Sequence, residues 1–335
     1  MTNFLHNKSI LVTGGTGSFG QKFVEFALNN LSPKKLVIFS RDELKQFEMA
    51  AKFSETDHPC LRYFIGDVRD RNRLMRAFSG IDMVVHASAM KQIVAAEYNP
   101  TECIATNIIG AQNVIDAAIE NGVEKVVALS TDKAANPINL YGATKLCSDK
   151  LFIAGNNLSG GQKTRFSVVR YGNVAGSRGS VIPLFKKMVS SGVRSLPITD
   201  EKMTRFIITL DEGVNLVINA LKTMHGGEVI VPRLPSIKIV DIVKVFGADL
   251  KYHVTGVRPG EKLHEVMIPA EEMRNAVDMG NYYIIQPNHH WWNVSEFKKL
   301  VEMTGTPLVG FSEYSSETNP QKMSNEQLKK IIDNI

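Results

Sequence analysis

A tyrosine and a lysine four residues apart, Tyr141 and Lys145, have the spacing in this chain that most directly indicates chemistry. Side chains at positions i and i+4 of a helix project from the same face, so the lysine ammonium can lie beside the phenol and favour its ionised form. A phenol that ionises near neutral pH can take the proton of an alcohol while the carbon of that alcohol loses hydride. The pair therefore predicts the oxidation of a sugar alcohol by a separate hydride acceptor.

Three polar residues precede this pair, at the end of an apolar strand predicted over residues 126–129. Thr131, Asp132 and Lys133 place a hydroxyl, a carboxyl and an amine in a row. A carboxylic acid and an amine can carry out proton transfers beyond the oxidation, provided that both are uncharged. Burial favours both neutral forms because a low dielectric penalises charge on either group. The alternative is that Asp132 and Lys133 simply form an ion pair.

The segment between Thr13 and Gly20 is rich in glycine and predicts the hydride acceptor. It follows a strand predicted over residues 9–12 and leads into a stretch with the apolar spacing of a helix. Glycines at these positions let the backbone turn sharply, approach a pyrophosphate and pack a helix against a strand. A second strand, predicted over 36–39, comes where a βαβ unit requires it and disfavours an ordinary glycine-rich turn. The predicted cofactor contacts here are Gly14, Thr16, Gly17, Ser18, Phe19 and Gly20.

The end of the second strand indicates which dinucleotide binds. An acidic residue there would accept a hydrogen bond from the ribose 2′-hydroxyl of NAD, whereas an arginine can pair with the 2′-phosphate of NADP. Ser40, Arg41 and Lys45 predict a phosphate clamp and favour NADP. Asp42 is the counter-evidence, because it either caps the next helix or weakens this preference. The alternative for Arg41 is a solvated surface charge.

Two more strands, predicted over 61–65 and 83–86, end in further candidate contacts to the cofactor. The predicted contacts are Asp67 and Val68, on the adenine side, and Ala87 and Lys91, after the fourth strand. His86 is interpreted as a strand-end residue satisfied by backbone groups rather than as a catalytic group.

Strands and helices alternate as far as residue 170, which predicts an α/β fold: a doubly wound parallel Rossmann sheet with a smaller C-terminal substrate-binding domain. We expect an NADP-binding domain over 1–175, with a returning segment near 204–225, and a mainly substrate-binding domain and tail over 176–335. A helix is predicted over 148–154 and a loop over 155–161. The tail from Gly310 onward is interpreted as surface or oligomer-contacting structure.

The second half of the chain supplies candidate substrate contacts. An arginine can hold a diphosphate, an asparagine can bond the phosphate or uracil side, and a carboxylate can reach a ribose diol. Glu261 and Glu265 are predicted to lie in the first turns of a helix. The alternative for the arginines is simple surface exposure. The predicted substrate-binding residues are Lys91, Thr131, Asn173, Arg178, Val181, Arg205, Arg258 and Glu261.

Composition excludes several classes of protein. The net charge of +5 is modest and the basic residues are dispersed, so nucleic-acid binding is poorly supported. Cys60, Cys103 and Cys147 lack metal-ligand spacing, so we expect no metal site and buried thiols in a reducing cytoplasm. The sequence contains no signal peptide and no apolar run of about 18 residues, and we expect neither secretion nor membrane insertion.

Five segments together resemble the extended short-chain dehydrogenase/reductases, over residue 8 to about 285. They are 14–20, 40–45, 130–137, 141–145 and 258–262. Within this family the chain is similar to the inverting UDP-N-acetylglucosamine 4,6-dehydratases of bacterial pseudaminic acid synthesis. Lys133 carries that similarity, because wider sugar dehydratases have an Asp-Glu pair where this chain has Asp132-Lys133.

The resemblance implies a reaction and a role for each catalytic residue. Tyr141, assisted by Lys145 and Thr131, would remove the C4 hydroxyl proton of UDP-N-acetylglucosamine as hydride passes to a tightly bound, recycled NADP. Lys133 would then remove the C5 proton and Asp132 would protonate the departing C6 hydroxyl. Return of hydride to C6 and protonation of C5 from the opposite face would give the inverted 4-keto-6-deoxy sugar.

The resemblance also implies a homo-oligomer, either a hexamer or a dimer. Two alternatives stay open for the function. An NADP-dependent nucleotide-sugar epimerase would keep Tyr141 and Lys145 but has no need for Asp132 and Lys133. A non-catalytic NADP-sensing protein would need only the glycines.

Overall fold

The computed structural model describes residues 3–160, 163–247, 249–287, 305–308, 310 and 312–335. The strands of the first half form because short apolar runs are bounded by turn residues, and the intervening segments carry apolar side chains on one helical face. The strands are β1 Ser9–Thr13, β2 Lys35–Ser40, β3 Leu61–Ile65, β4 Met83–His86, β5 Lys125–Thr131, β6 Arg165–Tyr171, β7 Asn173–Val174, β8 Ser195–Ile198, β9 Thr204–Ile208, β10 Val229–Pro232, β11 Ser236–Lys238, β12 Lys251–Val254, β13 Val266–Ile268, β14 Ala276–Asp278, β15 Tyr282–Ile285, β16 Thr306–Pro307 and β17 Tyr314–Ser315. The α-helices are α1 Ser18–Asn30, α2 Glu43–Lys52, α3 Arg71–Ala77, α4 Ile93–Tyr98, α5 Pro100–Ile104, α6 Gly110–Glu120, α7 Leu140–Leu158, α8 Val181–Ser190, α9 Leu210–Thr223, α10 Ile239–Phe246, α11 Ala270–Met273 and α12 Asn325–Asp333.

A ten-stranded sheet forms the centre of the molecule, in the order β16-β14-β15-β10-β6-β5-β4-β1-β2-β3. Seven neighbouring strands of this sheet run parallel, namely β10, β6, β5, β4, β1, β2 and β3. Strands β15, β14 and β16 add antiparallel pairs at one edge. The predicted doubly wound parallel α/β sheet is therefore confirmed. The strand order reverses between β1 and β4, which is where ligands bind in such sheets.

The second half of the chain is divided between this sheet and smaller ones. Strands β7, β9 and β11 form a three-stranded sheet, and β8 with β12 and β13 with β17 form pairs. A second cluster of buried apolar side chains, separate from the main core, includes Ile182, Phe185 and Ile242. Because β10, β14, β15 and β16 join the large sheet, a division of the chain at residue 175 stays a proposal.

The predictions for residues 155–158 and for the tail are wrong. Helix α7 continues to Leu158, so residues 155–158, predicted as a loop, are helical. Gly155 lies close to Phe166 and Ile115, where a Cβ would come within 3.1 and 3.2 Å of their side chains, so this glycine lets the helix pack closely on its neighbours. The tail is also not merely surface structure, since Leu328 and Ile332 of α12 are buried in the second core.

The three thiols differ in burial. Cys103 is buried, Cys60 is partly buried and Cys147 is exposed, so the expectation of buried thiols is wrong for Cys147. Within the described ranges, no helix is both long enough and apolar enough to cross a membrane.

Candidate active site

A cleft of about 1180 Å³ lies at the carboxyl ends of the parallel strands and takes side chains from both halves of the chain. This volume exceeds the roughly 300–1,000 Å³ typical of a pocket for one small ligand, so it suits two ligands side by side. Of the predicted site residues, the cleft is lined by Gly14, Thr16, Gly17, Ser18, Phe19, Gly20, Ser40, Arg41, Asp42, Lys45, Asp67, Val68, Ala87, Lys91, Thr131, Lys133, Tyr141, Lys145, Asn173, Val181, Arg178, Arg205, Arg258 and Glu261. Asp132 is fully buried behind this surface.

The glycine-rich turn between β1 and α1 has the shape of a cradle for a pyrophosphate. Gly14 has φ +66°, and a Cβ there would come within 3.0 Å of the backbone of Ala87 and Ser88. A Cβ on Gly20 would overlap the backbone of Gly15. Gly17 is the N-cap of α1 and no side-chain hydrogen bond caps the helix there. The free amides of a helix N-terminus favour an anion, so these residues fit a dinucleotide cofactor.

The end of β2 combines cations and carboxylates. Arg41 is exposed, with Nη1 3.8 Å from Asp67 Oδ2, and Lys45 Nζ lies 2.7 Å from Asp42 Oδ2. Asp42 also caps α2, because its Oδ1 accepts a hydrogen bond of 3.0 Å from the backbone N–H of Lys45. The capping role, one of the two interpretations of Asp42, is thus confirmed. Two cations border the cleft, and each already faces a carboxylate.

A glycine also determines how the predicted catalytic residues meet. Strand β5 ends at Thr131, a 3₁₀ turn covers Asp132–Ala134, and α7 begins at Leu140. A Cβ on Gly142 would overlap the carbonyl oxygen of Lys133, so only glycine lets the first turn of α7 lie directly on the 3₁₀ turn. This contact brings the tyrosine of α7 beside the three polar residues that follow β5.

Lys133 lies between two carboxylates. Its Nζ is 3.0 Å from Asp132 Oδ1 and 3.3 Å from Glu265 Oε1. Burial lowers the pKa of Lys133, but the charges of Asp132 and Glu265 outweigh burial and hold this pKa above its ordinary value. The pKa of Lys133 is thus shifted in the direction opposite to the expectation that burial favours the neutral amine. Its contact with Asp132 has the geometry of an ion pair, the alternative for these two residues.

One carboxyl oxygen of Asp132 accepts hydrogen bonds from neighbouring side chains, and the other has no hydrogen-bond partner among the described residues. Oδ1 accepts hydrogen bonds from Thr131 Oγ1, at 2.9 Å, and from Lys133 Nζ. Oδ2 is buried and has no hydrogen-bond partner among the described residues. A buried oxygen without a hydrogen bond destabilises the folded protein, so this atom is suited to accept a hydrogen bond from a ligand.

Tyr141 is buried, and its charge environment differs from the sequence-based expectation. Burial raises the pKa of Tyr141 to about 12, against the charge of Lys133 and a hydrogen bond with Thr131, which lower it. The cation that lowers this pKa is thus Lys133, whereas the sequence predicted Lys145. Burial lowers the pKa of Lys145 itself, and the charge of Asp149 opposes this effect.

A buried polar network lies behind Lys145. Asp149 accepts a hydrogen bond of 2.6 Å from Ser130 Oγ, and its Oδ2 lies 3.7 Å from Arg170 Nη2. Arg170 is also paired with Glu272 at 2.6 Å. Sequence reasoning missed Asp149, although its position four residues after Lys145 on the same helix was a visible signal.

Three of the predicted substrate-binding residues of the second half, Arg205, Arg258 and Glu261, form a connected group. Arg258 makes a two-pronged contact with Glu261, with both N–O distances at 3.0 Å. Arg205 donates to the backbone carbonyls of Leu263 and Lys262 at 3.0 and 2.9 Å, so its guanidinium largely holds this segment in place. Arg178 is exposed in the cleft, and Asn173 Oδ1 is buried without a partner among the described residues.

The segment from Glu261 to Glu265 is a loop that leads into β13, so the predicted helix there is wrong. The loop carries Glu265 to Lys133, a contact that the sequence did not indicate.

His86 lies outside the cleft lining. It is buried, its Nδ1 is 2.8 Å from Thr13 Oγ1, and burial lowers its pKa to about 3. Its partner is therefore a hydroxyl rather than the backbone groups expected.

Among the described residues, no group of His, Cys, Asp and Glu side chains has the arrangement of a metal site.

Comparison with known proteins identifies relatives over nearly the whole chain. A family model described as "Polysaccharide biosynthesis protein" matches residues 10–287. A protein of Campylobacter jejuni named UDP-N-acetylglucosamine 4,6-dehydratase (inverting) is 53% identical over 330 residues, which cover 98% of each chain. A protein of Rickettsia bellii named UDP-glucose 4-epimerase is 40% identical over 336 residues, 98% of this chain and 96% of the other. The X-ray structure of Pen from Bacillus thuringiensis has a TM-score of 0.87 at 36% identity, over 99% of this chain and 98% of that chain.

Proposed function

Because the chain belongs to the polysaccharide biosynthesis protein family, within the extended short-chain dehydrogenase/reductases, we propose that it is a UDP-N-acetylglucosamine 4,6-dehydratase that inverts C5. The observation that carries the proposal is the contact between two reaction centres in one cleft. Thr131 links them, since it is hydrogen-bonded to Tyr141 and donates to Asp132, which holds Lys133. An oxidation centre and an acid–base pair in contact are what an elimination next to a new ketone needs.

We propose NADP as the cofactor, bound by the glycine-rich turn, with Arg41 and Lys45 at its 2′-phosphate. When bound, it would accept hydride from C4 and return hydride to C6, so that it is regenerated in each turnover. The cradle at Gly14 and Gly20 supports a dinucleotide, and the two cations after β2 support the phosphate.

At C4, the protein's task is to remove the hydroxyl proton. Tyr141 is the base in this proposal, and Thr131 orients the oxygen. The phenol has to ionise for this step, and burial opposes ionisation. The nearby ammonium of Lys133 favours the phenolate, so it assists the step from its start.

At C5 and C6, the ion pair of Lys133 with Asp132 is compatible with acid–base catalysis. The ionic pair and the neutral pair contain the same number of protons, and they differ by one proton moved along the 3.0 Å contact between Lys133 Nζ and Asp132 Oδ1. In the neutral pair, the amine can take the C5 proton that the C4 ketone has made acidic. The carboxylic acid can give its proton to the departing C6 hydroxyl, and water leaves.

The substrate side of the proposal rests on the second half of the chain. Arg178 and Arg258 are exposed in the cleft and can pair with a diphosphate, while Asn173 has an unused buried oxygen for the nucleotide. Arg205 acts mainly through the loop that it holds. We further propose residues 1–175 as the cofactor-binding domain and 176–335 as mainly substrate-binding, in a cytoplasmic homo-oligomer, hexamer or dimer, that supplies pseudaminic acid-type synthesis.

A nucleotide-sugar 4-epimerase is the second candidate, favoured by the relatives of that name. An epimerase inverts C4 without losing water, so product mass separates the two reactions. The test is incubation of the purified protein and UDP-N-acetylglucosamine in heavy water, followed by mass spectrometry and NMR. We expect loss of one water, deuterium at C5 and inverted configuration there. A product of unchanged elemental composition with inverted C4 would contradict the proposal.

A further inference from the structure

Glu265 is a buried carboxylate in the cleft for which the proposed reaction has no role so far. It lies in the loop before β13 and is 2% exposed. Its backbone is held on both sides, because its N–H donates to Ser316 Oγ at 2.9 Å and its carbonyl accepts from the Ser316 N–H at 2.8 Å. Oε1 lies 3.3 Å from Lys133 Nζ, and Oε2 has no hydrogen-bond partner among the described residues.

We propose that Glu265 is a positioning residue of the elimination step, which fixes the Lys133 amine and sets its affinity for the C5 proton. This inference rests on the proposed dehydratase function. The backbone contacts make the carboxylate a fixed anchor, whereas a lysine has four rotatable side-chain bonds and would otherwise move. An anchored amine can meet one face of the sugar ring.

The charges around Lys133 come from four parts of the fold. Asp132 and Glu265 are the carboxylates in ion-pair contact with it. Three cations interact electrostatically with Lys133: Arg205 of β9, Lys91 after β4 and Lys262 of the loop before β13. The phenol of Tyr141 is the remaining titratable neighbour. The carboxylates outweigh the cations, since the pKa of Lys133 is raised.

The carboxylate of Glu265 stabilises the ammonium that forms on Lys133 during the elimination. The C5–H bond breaks and an N–H bond forms on Lys133, while the C–H electron pair becomes the C5–C6 double bond. The C6–O bond breaks with its electron pair, and the hydroxyl takes the proton of Asp132 to leave as water. At that point Lys133 is positive and Asp132 is negative, and Glu265 stabilises the new ammonium directly. Arg205, with Nε 3.7 Å from Glu265 Oε1, balances the charge of the carboxylate.

The test compares Glu265→Gln with Glu265→Asp and with the control Glu317→Gln. Glu317 is 62% exposed and pairs with His264, and it makes no contact with Lys133. One measurement is the pKa of the Lys133 amine from its ¹⁵Nζ NMR signal, assigned through Lys133→Arg, in the protein without substrate. An opposite charge at this distance shifts a pKa by about 1 to 3 units, so we expect Glu265→Gln to lower that of Lys133 by about that amount.

The second measurement is the pH dependence of water loss. The reactive neutral pair carries the same single proton as the ion pair, so the rate falls as pH rises through the pKa of Lys133 and this proton is lost. A lower pKa of Lys133 in Glu265→Gln therefore moves this limb of the pH–rate profile to lower pH by the same amount. Glu265→Asp retains the charge, so it moves the limb less. Single-turnover oxidation at C4, followed by NADPH absorbance, should stay within about threefold of wild type.

Three outcomes would overturn the role of Glu265. They are an unchanged amine pKa in Glu265→Gln, a shifted pKa with an unmoved pH limb, and an equal loss of oxidation and water loss, as a merely structural role would give. Failure of the wild-type protein to release water would instead contradict the proposed function. The amine titration would still report on the Glu265 contact in that case.

Discussion

At the scale of single residues, substitutions of Asp132 and Lys133 can distinguish the proposed elimination from the proposed oxidation at C4, which shares the same cleft. Lys133→Ala removes the proposed base and Asp132→Asn removes the proposed acid of the elimination, but neither residue is the proposed base for the C4 hydroxyl. Loss of a positioned acid or base typically costs about 10² to 10⁴ in rate. We expect both variants to bind NADP and to lose water release by that factor, measured by product mass spectrometry. Near-normal turnover in either one would contradict its role.

Tyr141→Phe is the matching test of the first half-reaction. The variant keeps the ring and its packing but has no hydroxyl to act as base. We expect no appearance of NADPH absorbance in a single turnover, with cofactor binding retained. Oxidation at the wild-type rate would show that another group accepts the proton.

The cation after β2 gives a residue-level test of cofactor choice. Arg41 is exposed and lies beside Asp67 rather than in a tight pair, so it is available to a phosphate. A hydrogen bond to a charged group contributes about 1.5–3 kcal/mol. Arg41→Ala should thus weaken NADP binding by about 10- to 100-fold and leave NAD binding nearly unchanged, by titration of each. Equal weakening of both would reject the phosphate clamp.

At the scale of elements, glycines determine how closely helices approach their neighbours. Helix α1 meets the turn after β1 at Gly20, where a Cβ would overlap Gly15, while Gly213 of α9 has open space around its Cβ position. Overpacking costs about 1–3 kcal/mol, and alanine is favoured over glycine in a helix by up to about 1 kcal/mol.

These two glycines make a matched pair of substitutions. We expect Gly20→Ala to lower the free energy of unfolding by at least about 1 kcal/mol and to weaken cofactor binding. Gly213→Ala should raise stability slightly and leave binding unchanged. Chemical denaturation and NADP titration measure both effects, and equal effects at the two sites would refute the close-packing argument.

The same scale explains which elements sequence reasoning found. The strands that end in Thr13, Ser40 and His86 were visible as short apolar runs between turn residues. The end of α7 and the loop from Glu261 to Glu265 were missed, because a polar or glycine-rich segment has no local feature that distinguishes a packed helix from a loop. Contacts with other parts of the chain decide such segments.

At the scale of the whole molecule, the C-terminal helix joins the second core. Leu328 is 1% exposed, whereas its neighbour Lys329 is exposed. Truncation of a buried leucine to alanine costs about 2–5 kcal/mol, and a surface change stays within about 0.5 kcal/mol. Leu328→Ala should therefore lower the free energy of unfolding by about that amount, and Lys329→Ala should not. Equal stability of the two variants would mean that α12 adds nothing to the core.

The sequence by itself determined the alternation of strands and helices, the glycine-rich cofactor turn, and the presence of Tyr141, Lys145, Asp132 and Lys133 near one strand end. Each of these follows from spacing along the chain, which is a local property. Only the tertiary structure decided the electrostatic environment of Lys133. Its pKa is raised because the charges of Asp132 and of Glu265, which comes from a distant part of the chain and lies 3.3 Å away, outweigh burial. A local pattern cannot contain that contact, since electrostatic energy depends on distance in space.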